Sequence, residues 1–275
     1  MKKILFLLLS VSALYTASAQ VKMPAPSPTQ SLKQDFGMSS IEIKYSRPAM
    51  KGRKIFGDLV PYNKLWRTGA NGATIIRFND PVEIGGKKVD TGSYALYTIP
   101  NTDSWTIILN KGTGNWGVDG YKESEDVARF NALVEKVKPK VENFTIQVAN
   151  IQPESCDLQL TWEKTKISIP VTVNIKDKVR AQIDAAMQTE KKPYWQAAQF
   201  YFEYDKNMNK ALENVTKATE AQPTAFWIFL YKARIQKEMG DKAGARESSE
   251  KSKQLAKEAQ NDDYVKLNEE FLKKL

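Results

Sequence analysis

Histidine is absent from all 275 residues, and cysteine occurs once, as Cys156. The first absence removes Ser-His-acid and Cys-His nucleophile systems, together with His-ligated zinc, copper and iron sites. The second removes any internal disulfide, so an exported chain of this kind must be held by packing. Cys156 itself reads as a small apolar residue buried in a strand. A D-x-[DN]-x-[DN]-G calcium loop is also missing. No apolar run approaches the about 20 residues that a membrane-spanning helix needs. Neither a metal nor any other cofactor is indicated. Two catalytic routes stay open, a carboxylate pair and a Lys-assisted Ser. Asp80, Glu83, Asp119 and Asp126 offer acids, but no spacing marks two of them as a pair. The single S-x-x-K match, Ser248 to Lys251, is of the kind chance supplies. The balance favours a protein that is not an enzyme.

What is present begins with a leader. Lys2 and Lys3 precede an apolar run from Ile4 to Leu14, which ends in "TASAQ". A positive start, a short apolar core and small residues at Ala17 and Ala19 describe a signal peptide. Cleavage after Ala19 leaves Gln20 in front, and no Cys stands there to take a lipid anchor. A periplasmic or secreted location is expected.

The charge is local. The chain carries a net +9, and Lys2 and Lys3 account for two of those charges. From Lys44 to Arg77 the cations Lys44, Arg47, Lys51, Arg53, Lys54, Lys64, Arg67 and Arg77 face the single acid Asp58, a local +7. The remainder of the exported chain is neutral. Concentrated basicity marks a surface that faces anions. Export argues against nucleic acid, the usual partner of such a patch.

The hydrophobic period divides the chain in two. A Pro-rich stretch, 20–30, is expected to stay extended. From Ser31 to about Ile175, short alternating runs rich in β-branched and aromatic residues predict strands. These are "IEIKYS", "ATIIRF", "SYALYTI", "SWTIILN", "NFTIQVA", "CDLQLTW" and "ISIPVTV". "EIGGKKV" predicts a tight hairpin over Gly85-Gly86, and "SYALYTIPNTDSWTIILN" a second one. No helix-length crossover separates them, so an antiparallel β-sandwich, jelly-roll or Ig-like, is expected over 31–175.

Beyond it, 176–275 is rich in Ala, Lys, Glu and Gln. Trp195, Ala198, Phe202, Ala211, Val215, Ala218 and Pro223 fall at the spacings of a tetratricopeptide unit of about 34 residues. Phe229, Lys232, Gln236, Ala245, Ser249 and Ser252 form a weaker copy. Flanking helices are expected near Asp177–Thr189 and Asp262–Leu275. Such a module could bind a protein partner. An ordinary helical bundle is the other reading.

The run "YSRPAMKGRKIFGDLVPYNKLWRTGANGAT", followed by "GSYALYTIP" and "W-TIILN", resembles the secreted bacterial family called domain of unknown function 2911. The resemblance spans roughly Lys22 to Val173. Asn63 stands where the family's "PYG" has Gly. The resemblance implies the β architecture and a helical tail of tetratricopeptide type, and it implies no activity.

Candidate site residues follow from the same run. Arg47, Lys51, Arg53 and Arg67 would engage an acidic group through planar or point-charge donors. Tyr62 and Trp66 would stack on a ring, and Asn71 sits in the Gly-rich turn beside them. Lys54 and Lys64 read as solvated charges, and Asp58 as an ion-pair partner of a neighbouring Arg. A second loop, "NKGTGNWGVDGY", brings Trp116 and Tyr121 either to the same cleft or over the open end of the sandwich. The function expected is exported, non-catalytic binding or scaffolding in the cell envelope, for an acidic or carbohydrate-like ligand. The alternatives are a carboxylate-dependent glycan hydrolase, or a structural β domain whose repeats bind protein.

Overall fold

The computed structural model describes residues 23–275. The expected signal peptide and its cleavage site lie outside the described residues. The chain forms a large antiparallel β-sheet followed by six α-helices. None of the described helices is long and apolar enough to cross a membrane.

Nine strands are hydrogen-bonded in the order β1-β2-β3-β6-β7-β8-β9-β4-β5. They are β1 (Thr29–Phe36), β2 (Ser39–Ser46), β3 (Thr74–Phe78), β4 (Val82–Ile84), β5 (Lys87–Val89), β6 (Gly92–Ile99), β7 (Ser104–Asn110), β8 (Asp126–Ala149) and β9 (Ser155–Thr172). Strand alternation places every second residue on one face. In β2 that face is Ile41, Ile43 and Tyr45; in β9 it is Cys156, Leu158, Leu160 and Trp162 and, after a shift of phase at left-handed Glu163, Ile167, Ile169 and Val171. These side chains meet Phe78, Leu96, Trp105, Ile107, Leu109, Phe144 and Ile146 in one apolar core.

Three strand expectations change. The stretch expected to stay extended ends in β1, which pairs along its whole length with β2, from Thr29 opposite Ser46 to Phe36 opposite Ser39. "CDLQLTW" and "ISIPVTV" are one continuous strand, β9. The strand predicted at "NFTIQVA" is the far end of β8, which pairs with β7 from Asp126 to Leu133 and with β9 from Val134 to Ala149. The polar, Lys-rich middle of β8 hides its strand character, because that stretch is exposed and needs no apolar alternation.

The helices are α1 (Lys176–Ala186), α2 (Tyr194–Glu203), α3 (Met208–Ala221), α4 (Phe226–Glu238), α5 (Lys242–Glu258) and α6 (Asp262–Lys273). Each packs on the next. Asn207, Asp241 and Asn261 cap α3, α5 and α6 by accepting from the backbone N–H of Lys210, Gly244 and Tyr264, which satisfies donors that the first helical turn leaves open. The small residues singled out by the repeat spacing, Ala198, Ala211, Ala218 and Ala245, are buried where helices approach closely. Val179 on α1 and Tyr204 after α2 touch both the sheet core and the helical core. Lys178 on α1 pairs with Asp80, before β4, at 2.5 Å.

The β4–β5 hairpin turns on Gly85 (φ +56°) and Gly86 (φ +74°), the left-handed pair a two-residue turn of this hand requires. At Gly85 a Cβ would also lie 2.2 Å from the Phe130 ring, whereas nothing stands within 4 Å at Gly86. Gly85→Ala therefore combines backbone strain with overpacking and lowers stability by about 2 kcal/mol or more. Gly86→Asn, in a conformation Asn tolerates, stays within about 0.5 kcal/mol of the parent. Urea denaturation of the two variants checks the contrast.

Candidate functional site

The segment Tyr45–Thr74 leaves β2 and returns as β3. A connection this long has carbonyls that no ladder satisfies, and they must find donors elsewhere. Part of the solution is extra pairing. Phe144 N–H donates to Pro48 O and Met50 N–H to Glu142 O, which ties the start of the segment to β8. Trp66 exchanges two hydrogen bonds with Thr98, at 2.8 and 2.9 Å, and so prolongs the sheet beside β6.

Arginine supplies another part. Arg47 donates from Nε to Phe144 O at 3.1 Å and from Nη2 to Thr145 Oγ1 at 2.8 Å. Arg53 donates from Nε to Met50 O at 2.9 Å and from Nη2 to Ala49 O at 2.7 Å. Both guanidinium groups spend their fork on holding the loop. Lys51 is exposed at φ +49°, and its backbone N–H donates to Glu142 Oε1. Asp58, expected to pair with an Arg, makes no ion pair among the described residues. Lys54 and Lys64 are exposed.

The aromatic residues are spent on packing as well. Trp66 is 8% exposed. It lies stacked on Trp162 at 6.0 Å and edge-on to Phe56, Trp105 and Phe144. Its indole N–H donates to Gly69 O. Tyr62 packs on the core over Gly57. Trp66, so enclosed, does not offer the open ring face that stacking on a ligand needs, whereas Tyr62 is half-buried. Asn71, left-handed at φ +62°, donates to Ser46 Oγ and closes the turn. Asn63 is also left-handed, at φ +58°, a conformation that Gly and Asn adopt most readily.

Arg67 is different. Its Nε is buried and has no hydrogen-bond partner. The side chain lines a cleft of about 360 Å³ together with Arg53, Leu59, Lys64, Trp66 and Val118. Among the described residues no carboxylate lines this cleft. Of the residues singled out in the sequence, the structure brings Arg53, Trp66 and Arg67 together here. Arg47, Lys51, Tyr62 and Asn71 lie outside the lining. Leu59, Lys64 and Val118 had no signal of their own beyond belonging to the two unusual loops.

The second loop forms part of the cleft wall. Gly72 and Trp116 form a β-bridge, and Ala73 N–H donates to Asn115 O. A Cβ on Gly117 would lie 3.4 Å from Arg67 Nη1, so the loop passes directly over the guanidinium. Trp116 does not cap the core; it is 70% exposed. Tyr121 instead anchors the base of the loop. Its hydroxyl donates to Asp126 and accepts from Arg129 Nη2 at 2.7 Å. Asn110 binds the same carboxylate at 2.8 Å. Burial, and behind it the Asp126 carboxylate, push the Tyr121 hydroxyl up to about 12. Ser248 is no nucleophile candidate, since its hydroxyl donates to Gln236 Oε1 at 2.6 Å.

Two expectations test this division of labour. Arg47→Met strips donors from Phe144 O and Thr145 and costs about 1–3 kcal/mol, which thermal melting reads as a fall of about 2–10 °C. Arg67→Gln, which breaks no bond of its side chain, leaves the melting temperature within about 2 °C. Cys156 is 3% exposed, and burial, seconded by Asp157, raises its thiol to about 11. It therefore resists iodoacetamide at pH 8 in the native protein and reacts once the chain is unfolded.

No curated protein and no solved structure matches the chain. The family described as "Protein of unknown function (DUF2911)" matches residues 27–171, more than half of the sequence. Those residues run from before β1 to the end of β9 and contain both loops of the cleft, so the chain belongs to that family.

Proposed function

We propose that the protein is an exported, non-catalytic binding protein of the cell envelope whose Arg67 cleft takes a small acidic or sugar-like molecule. One observation carries the reading: a buried guanidinium Nε that meets no acceptor among the described residues, in a cleft that none of their carboxylates lines. An unsatisfied buried donor of a charged group is costly. A carboxylate or phosphate oxygen at that position relieves the cost. Lys64 and the remaining donors of Arg53 add positive charge around it. Leu59, Leu65 and Val118 give apolar walls, and Trp116, two residues before Val118 in the same loop, is an exposed aromatic residue. A volume of about 360 Å³ is at the small end for ligand sites and suits one or two rings rather than a polymer.

In this reading the sheet is a β-sandwich of jelly-roll or Ig-like type. Trp105 of β7, Phe144 of β8 and Trp162 of β9 meeting in one core support it. The helices are a degenerate tetratricopeptide-like pair with flanking helices, supported by the buried Ala positions and the successive packing of α2 to α6. Export rests on the leader of the sequence. The hydrolase alternative finds no acid/base pair in the cleft beside Trp66 among the described residues.

Thermal shift and calorimetry on the chain from Gln20 test the reading, with glucuronate, galacturonate, glucose 1-phosphate, glucose and an aryl carboxylate as probes. An acidic probe at about 100 times its Kd adds about 2.7 kcal/mol, which raises the melting temperature by about 5–10 °C. The shift disappears in Arg67→Gln while that variant melts like the parent, and glucose, which lacks the acid group, gives a smaller shift. If no acidic probe binds and Arg67→Gln itself melts several degrees lower, Arg67 is a structural residue and the proposal falls.

A further inference from the structure

We infer that the seam between α4 and α5 is a docking groove for an extended acidic peptide segment, separate from the Arg67 cleft. The groove encloses about 720 Å³, twice the volume of the cleft. Phe229, Lys232 and Gln236 line it from α4, at the three- and four-residue spacings that put side chains on one helical face. From α5 it is lined over Glu247 to Lys257, about 15 Å of helix at 1.5 Å per residue. An extended chain at about 3.3 Å per residue covers that length with four or five residues.

The floor is rigid and already formed. Ser248 Oγ donates to Gln236 Oε1 at 2.6 Å, and Gln236 Nε2 donates to Asp241 Oδ2 at 3.2 Å. Gly244 lets the start of α5 come this close, since a Cβ there would lie 2.3 Å from Gln236 Nε2. A groove whose polar floor is internally satisfied loses little on binding and demands little reorganisation.

Charge selects the occupant. The lining holds Lys232, Lys251, Lys253 and Lys257 against Glu247 and Glu250. Lys253 is taken by Glu250 at 2.7 Å. Lys232, Lys251 and Lys257 make no ion pair among the described residues, so three cations on both walls await carboxylates. Half-buried Phe229 offers a contact for one apolar side chain between them. Glu247 on the same wall disfavours a uniformly charged polyphosphate, whereas a peptide can set a neutral residue opposite it. The occupant is therefore a short stretch with carboxylates flanking one apolar residue.

The probe is a fluorescein-labelled Asp-Glu-Leu-Asp-Glu peptide, read by anisotropy at 50 mM salt against the chain from Gln20. The amide control is Asn-Gln-Leu-Asn-Gln. The acidic peptide binds at least tenfold tighter than the control and weakens as salt rises. Lys232→Gln with Lys251→Gln, both surface changes, weakens it at least tenfold with the melting temperature unchanged. Arg67→Gln leaves it untouched, and glucuronate does not compete, which separates this site from the cleft. Equal binding to parent and double variant overturns the proposal, as does no binding of the acidic peptide. Displacement by millimolar inorganic phosphate also overturns it, because the groove would then be a simple anion site.

Discussion

Trp66 is the constraint on which the β half depends. Its backbone is bonded to Thr98 in both directions, and its ring touches Phe56, Trp105, Phe144 and Trp162. Those partners come from its own loop and from β7, β8 and β9, so one side chain gathers elements from across the sheet. Aromatic contacts of this kind contribute about 0.5–1.5 kcal/mol each beyond the area they bury. Trp66 also lines the cleft with its neighbours Leu65 and Arg67, and Leu65 packs besides on the small cluster around Ala95, Tyr97 and Ile108. The candidate site thus sits beside the largest side chain that the core takes from this loop.

The same loop shows why density of charge is a poor guide to a site. Its arginines look alike in sequence, yet Arg47 and Arg53 act as cross-ties for carbonyls that lack a ladder, while Arg67 is aimed at a space. What separates them is the acceptor each one finds. A fork that meets two acceptors at about 2.7–3.1 Å is stabilising structure; the buried Nε of Arg67 meets none, and the proposed function rests on that difference.

In the helical half the packing changes character along the chain. Where α2 and α3 bury Ala198, Ala211, Val215 and Ala218, α5 and α6 bury Ser249, Ser252 and Asn268 in a hydrogen-bonded network. Ser249 donates to Asn268 Oδ1, Asn268 Nδ2 to Ser252 Oγ, and Ser252 to Phe226 O. Satisfied polar groups of this sort fix one register of α4, α5 and α6 where apolar contacts alone would permit sliding. The polarity that dilutes the repeat signal in the sequence is what holds the helices together.

The β-then-α order, the β4–β5 and β6–β7 hairpins and the family were legible in the amino-acid order, because period, turn chemistry and motif are local properties. The loop that carries the cleft was also marked, through charge and aromatic content. Not legible were β1, the first third of β8, and that "CDLQLTW" and "ISIPVTV" are one strand. Edge and exposed strands carry no apolar alternation, and pairing is written in the partner. Long-range packing settles that Arg47 and Arg53 are cross-ties while the buried Nε of Arg67 has no partner, that Trp66 is core while Trp116 is open, and that Val118 lines the same cleft as Arg67. The acceptors of Arg47 come from about a hundred residues away on β8, and no local pattern encodes a contact made at that separation.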